Sequence, residues 1–144
     1  MQRAEHTPRP LGVTILMGIV LSLSAWNGLR LAQAIAFWNI LDEYQVRNDP
    51  AYLAASGAAW LVAGVLLAWG LGGGLSWSRG MTILAAIGYT SWVWFDRLVM
   101  QSARTNWPFA LIVTIVLFSF TLLILLDPGV KAYFSQREAY ERPS

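Results

Sequence analysis

The sequence predicts an all-helical, polytopic membrane protein: one domain over residues 1–144, folded as a bundle of four transmembrane helices with both termini in the cytoplasm. Three observations carry that expectation. Hydrophobic residues make up 56% of the chain and charged residues 12%, about half the roughly 25% charge that wets a soluble domain. The mean hydropathy is +0.49. The charges present are gathered between four long uncharged stretches, Leu11 to Leu29, Pro50 to Ser78, Gly80 to Phe95 and Thr105 to Leu126.

A helix needs about 20 mostly apolar residues to cross about 30 Å of hydrocarbon. The first span is placed at about 11–38, because the apolar pattern continues past Arg30 through Ile35, Phe37 and Trp38. From Leu11 to Leu41 such a helix would be about 46 Å long, so it must tilt or project its last turns beyond the bilayer. The same segment also admits a signal peptide, with Arg3 and Arg9 as its basic region and Ser22 to Ala25 near a cleavage site. The length of the apolar core favours a retained helix.

The second span, about 50–71, opens at Asn48-Asp49-Pro50, a capping side chain before a proline at the first helical position. Gly72-Gly73-Gly74 then reads as a tight turn, since no Lys-Ser/Thr follows to complete a phosphate loop. The third span, about 79–100, reaches full length only by running past Asp96 and Arg97 to Met100. Asn106-Trp107-Pro108 repeats the capping device before the fourth span, about 107–127, and Asp127-Pro128-Gly129 stops it. Val130 to Phe134 suits a short segment on the inner membrane surface, followed by a polar, flexible tail at 135–144.

Sidedness follows from Lys and Arg near the helix ends. Four crossings put Arg3, Arg9, Arg79, Lys131, Arg137 and Arg142 on one side, against Arg47, Arg97, Arg104 and the nearby Arg30 on the other. The richer side is cytoplasmic, which places the chain in the cell (inner) membrane as a multi-pass protein. The Asp42, Glu43 and Asp49 loop reads as solvated surface charge, not a metal site. No basic cluster suits nucleic acid.

Ionisable residues inside a span are expensive, roughly 2.5 to 3.5 kcal/mol near the centre, and need a partner or an outlet. Arg30 lies about 28 Å up the first span from Leu11, and Asp96 about 24 Å above Gly80 in the third. Their depths agree within a turn, so they form a candidate intramembrane ion pair; the competing reading lets each side chain snorkel to the headgroups. Asn27 and Gln33 flank Arg30 at helical spacing, and Tyr89, Trp92 and Asp96 share a face of the third span. Asn27, Gln33, Tyr89 and Trp92 therefore line a candidate groove beside the pair. Ala55, Ser56, Ala59, Ala63, Gly64 and Ala68 supply small residues at spacings of four for close helix approach in the second span. Trp38, Trp77 and Trp107 mark membrane interfaces, whereas Trp26, Trp60, Trp69, Trp92 and Trp94 lie deeper and pack between helices or line the groove.

The opening Arg9-Pro10-Leu11-Gly12-Val13-Thr14 and the closing Pro128-Gly129-Val130-Lys131-Ala132-Tyr133-Phe134 resemble the two ends of small uncharacterised prokaryotic four-helix integral membrane proteins. The resemblance implies a membrane and a fold, and carries no activity onto particular residues.

Composition excludes more chemistry than it suggests. With no Cys there is no disulfide or thiolate chemistry, and the single histidine, His6, stands in the N-terminal tail, away from any haem or chlorophyll site in the bilayer. A small multidrug antiporter needs a carboxylate in its first span, which holds none. An aspartyl peptidase needs two facing aspartates, and Asp42 and Asp49 fall in a loop. The expectation is a non-enzymatic chain without cofactor or metal: an integral membrane subunit or scaffold packing against lipids and against other subunits or itself. The alternative is a small transporter, or a lipid- or quinone-binding protein, using the groove near Arg30 and Asp96.

Overall fold

The computed structural model describes residues 9–43, 49–100 and 106–141, and within them it is helical throughout apart from short connections. The elements are α1 (Leu11–Ala36), α2 (Trp38–Glu43), α3 (Pro50–Gly73), α4 (Ser76–Phe95) continued by a π-helical turn (Asp96–Met100), α5 (Trp107–Leu126) and α6 (Pro128–Glu141). Three of them, α1, α3 and α5, are long and apolar enough to cross a membrane. The sequence landmarks Arg3, His6, Arg47, Asn48, Arg104 and Arg142 lie outside the described residues.

Local chemistry sets the ends. Asp49 accepts a hydrogen bond from the Ala51 amide at 2.8 Å and so caps α3, with Pro50 at its first position. At the other end Gly74 adopts φ 66°, and the Gly74 and Leu75 amides donate back to Leu71 and Gly70. That paired reversal needs a residue free of a Cβ penalty at positive φ, which the glycine run supplies.

Three expected boundaries are corrected. The first span breaks at Phe37, whose ψ of 18° departs from helical geometry, and a separate six-residue α2 follows in place of a continuous projecting helix. Asn106 makes no side-chain cap; it takes the left-handed conformation at φ 58°, which asparagine tolerates, and its carbonyl accepts from Ala110. The polar tail is not a tail as far as Glu141, because Asp127 both ends α5 and caps α6. Its Oδ1 accepts from the Gly129 and Val130 amides at 2.9 and 3.1 Å, and Pro128 takes the first position.

The α1–α3 pair is the spine of the fold. On α3 the buried residues include Pro50, Gly57, Gly64 and Leu71, each seven apart, and on α1 the buried Val13, Leu16, Ser24, Asn27 and Ala34 follow a three-and-four rhythm. Both patterns keep one narrow seam facing a partner helix. A Cβ at Gly57 would lie 3.0 Å from the Asn27 carbonyl and the Leu31 amide, and one at Gly64 would collide with the Ser24 hydroxyl. Backbone therefore meets backbone, the contact that small residues permit between membrane helices. Of the small residues at spacings of four, Gly64 and Ala68 are buried and Gly64 lies in the seam, whereas Ala55 and Ala59 are exposed.

One end of the bundle is tightly closed. Val13 and Leu16 of α1, Leu71 of α3, Leu125 of α5 and Val130, Tyr133 and Phe134 of α6 form a single buried cluster. Tyr133 reaches beneath the Gly74 turn, where an added Cβ would meet its ring at about 3.0 Å. Two arginines lace the same end: Arg9 donates to the Gly72 carbonyl at 2.9 Å, and Arg79 to the Leu125 carbonyl at 3.3 Å. Each cation serves a helix C-terminus, where unpaired carbonyls and the helix dipole favour positive charge. Away from this end α5 separates from its neighbours, and its buried residues are confined to Thr121 and Leu125.

Candidate functional site

Closure at one end and separation at the other leave a cleft of about 720 Å³ between α1, α3, α4 and α5. Its walls are mostly apolar. The hydroxyls among its lining residues are largely consumed within their own helices: Ser24 donates to Val20, Thr82 to Ser78 and Thr114 to Ala110, at 2.7 to 2.8 Å. A hydroxyl bonded back to its own turn shows the cleft its carbon side.

The far end of the cleft is polar, and here the structure gathers the residues singled out from sequence. Asn27, Arg30, Tyr89, Trp92 and Asp96 all line it. Gln33 does not; it is exposed beyond Arg30, the last α1 residue of the lining, which corrects its place in the groove. Arg30 and Asp96 are linked through two aromatic residues. The Arg30 guanidinium stacks over the Trp92 ring at 4.9 Å, Trp92 Nε1 donates to the Tyr52 hydroxyl at 3.0 Å, and Tyr52 donates in turn to Asp96 Oδ1 at 3.1 Å. Asp96 is only 6% exposed. It stands where α4 passes into the π-helical turn, an i→i+5 arrangement often found at functional sites.

Trp60, Tyr89 and Trp92 form one aromatic cluster with ring centroids 4.9 to 5.8 Å apart. At those separations the rings fill the space between themselves, so they make a rigid wall and leave no cage for a quaternary ammonium group. Asn27 is 1% exposed; its Nδ2 donates to the Leu23 carbonyl at 2.8 Å and the Tyr89 hydroxyl at 3.3 Å. Its Oδ1 is buried without a hydrogen-bond partner among the described residues. A buried acceptor left unmade costs roughly 1 to 3 kcal/mol.

Comparison with family models, curated proteins and solved structures finds no match to this chain.

The site thus rests on geometry. Tyr52 is the residue that sequence reasoning missed at the polar end, whereas Arg97 stands out in the sequence with Arg30 and Asp96 as a charge that needs a partner or an outlet. Arg97 follows Asp96 and lines the cleft from the same turn. Tyr52 was hidden because it sits in the first turn of α3, far in sequence from Trp92 and Asp96. The signal available was its depth: a tyrosine just inside the start of one span faces the end of its antiparallel neighbour. The Tyr52 hydroxyl gives its hydrogen to Asp96 and accepts from Trp92, so it braces the site. The arrangement can bind and orient an amphipathic molecule.

Proposed function

We propose that this chain is a multi-pass protein of the cell membrane that holds a single-chain amphipathic molecule in the cleft between α1, α3, α4 and α5. The observation that carries the reading is the polarity of the cleft: about 720 Å³ with mostly apolar walls, where the Ser24, Thr82 and Thr114 hydroxyls bond back to their own helices, and one charged end at Arg30, Asp96 and Arg97. That volume is typical of pockets that enclose a small-molecule ligand. A molecule reaching it through the gap beside α5 would come from the bilayer.

In this proposal α4 is the fourth crossing. With its π-helical turn it extends from Ser76 to Met100, long enough to span, and its polar residues Thr82, Tyr89, Thr90 and Asp96 line the cleft. Four crossings return the chain to one side, where Arg9, Arg79 and Lys131 surround the closed end, and the excess of positive charge there supports cytoplasmic termini. The membrane is then the inner membrane of a prokaryotic cell, as the resemblance of the chain's two ends implies. The scaffold reading draws on α5, whose face is almost wholly exposed and apolar. Lipid chains cover such a face as well as a partner helix would, so the cleft is the more specific feature.

The test uses a neutral amphipath. Oleyl alcohol titrated into the purified protein, followed by native mass spectrometry, should add one equivalent. Ala86→Phe places a ring into the cleft wall and should abolish that binding while the thermal transition in detergent stays close to native. Binding that is absent, or indifferent to Ala86→Phe, overturns the proposal.

A further inference from the structure

The lower part of the cleft fixes how far a bound chain can reach. Each of its four helices contributes a lining residue that is followed, one turn nearer the closed end, by a side chain of 0 to 1% exposure: Val20 by Leu16, Leu67 by Leu71, Thr82 by Ser78 and Thr121 by Leu125. The four helices therefore seal the cleft at one level. Leu16, Leu71 and Leu125 belong to the buried cluster that includes Val130, Tyr133 and Phe134 of α6, so this floor is packed from below and resists a chain end pressing on it.

The sides differ from the floor. Among the described lining residues the exposed ones are Trp26 of α1 and Val113 and Leu117 of α5, while those from α3 and α4 are buried or half-buried. The cleft thus opens sideways between α1 and α5, above the level of Val20 and Thr121. A chain that slips through this opening meets the floor below and the polar end at Arg30 and Asp96 above. Between Thr82 at the floor and Asp96 at the polar end α4 rises about 21 Å, close to the length of an extended oleyl chain. A shorter chain leaves a void over the floor, where the lining forfeits its dispersion contacts. A longer one must bend back out of the opening or press methylene groups against charged side chains.

We infer that the cleft measures the hydrocarbon chain of its ligand: it selects a chain of oleyl length, entering between α1 and α5, with the chain end seated on the floor beside Val20, Leu67, Thr82 and Thr121. The inference rests on the proposed amphipath site and adds to it the length of the chain and the residues that set that length.

The experiment titrates lauryl, oleyl and erucyl alcohol separately into the intact protein in a maltoside detergent, and counts bound equivalents by native mass spectrometry. The three share one headgroup and differ in chain length, and oleyl alcohol should bind most tightly. Val20→Phe raises the floor by a ring and should invert the preference for oleyl over lauryl alcohol, a change of about tenfold in their ratio, the scale on which overfilling a packed site is penalised. Leu67→Ala lowers the floor and should move the preference towards erucyl alcohol. Comparing ratios between variants cancels each alcohol's own partition into the micelle, and a general loss of stability does not improve the binding of one length at the expense of another.

Equal binding of the three alcohols to the native protein, or a native preference for lauryl or erucyl alcohol, overturns the length selection while oleyl alcohol binding keeps the amphipath site standing. An oleyl preference that neither Val20→Phe nor Leu67→Ala shifts overturns it too, because the floor would then not set the length. Where one variant loses all binding, the other decides. Failure of all three alcohols on the native protein removes the amphipath site and this inference together.

Discussion

The Tyr52 hydroxyl donates to Asp96 Oδ1 at 3.1 Å and ties the first turn of α3 to the last residues of the α4 column, 44 positions away in the chain. Because Trp92 Nε1 donates to the same hydroxyl at 3.0 Å, one oxygen joins three side chains at the open end of the bundle. Tyr52→Phe removes that oxygen and leaves the indole N–H and a buried carboxylate each short of a partner. The expected cost is roughly 1 to 3 kcal/mol, seen as a lower thermal midpoint in detergent. Asp96→Asn keeps an acceptor oxygen facing Tyr52 and should cost less. If Tyr52→Phe melts with the native protein, the junction contributes nothing to stability.

Gly64 lies against Ser24 so closely that an added methyl group would overlap the Ser24 hydroxyl. Gly64→Ala should therefore force α1 and α3 apart and cost about 1 to 3 kcal/mol, as overpacking commonly does. Ser24 bonds only to the Val20 carbonyl of its own helix, so Ser24→Ala alone should be mild. The double variant should recover more than half of the loss, since the obstructing oxygen is gone while the two backbones keep their approach. Additive losses in thermal unfolding would show that the contact does not couple these positions.

Much of this fold is written in the sequence at the level of uncharged stretches and caps. Asp49-Pro50 and the glycine run end α3 because those residues have few other backbone choices. The seam between α1 and α3 was less legible. Small residues recur at several spacings along α3, and only three-dimensional contact shows that Gly57 and Gly64 are the pair facing α1. Asp127-Pro128-Gly129 misled for a related reason: a proline after an aspartate ends one helix and also suits the first turn of another. At the site, Asn27, Tyr89 and Trp92 were legible because helical spacing places them beside Arg30 and Asp96. Gln33 shares that spacing, but the cleft ends at Arg30. The Tyr52 junction depends on how two antiparallel helices align at their ends, which no local pattern encodes.

The proposed topology has a direct consequence for labelling. With both termini cytoplasmic and four crossings, cysteines introduced at Gly73 and Lys131 should resist a membrane-impermeant maleimide in intact cells and react once the cells are opened. A cysteine at Asp42 should react in both. The chain has no native cysteine to confuse the result. Reaction of Gly73→Cys in intact cells would reverse the orientation. Protection of all three positions in intact cells, followed by reaction of all three in opened cells, would place Asp42 on the cytoplasmic side and contradict the crossing by α1.

Asp127 governs whether α6 stays docked. Its Oδ1 accepts from both Gly129 and Val130, satisfying two amides at the start of a helix that has no earlier turn to bond them. The docked helix places Val130, Tyr133 and Phe134 in the buried cluster, with the Tyr133 and Phe134 rings edge to face at 5.2 Å. Asp127→Ala should cost about 1 kcal/mol of helix stability, a shift of about fivefold in the population of undocked α6. Lys131 is exposed on this helix and offers trypsin a cleavage point whenever the helix opens. Cleavage after Lys131 should therefore accelerate severalfold in Asp127→Ala. Asp127→Asn keeps an oxygen able to cap the same amides and should remain near the native rate. An alanine variant cut no faster than native would mean that packing of Tyr133 and Phe134 holds α6 without help from the cap. Gly74→Ala, which forces a side chain into the left-handed region against the Tyr133 ring, should then be the change that releases it.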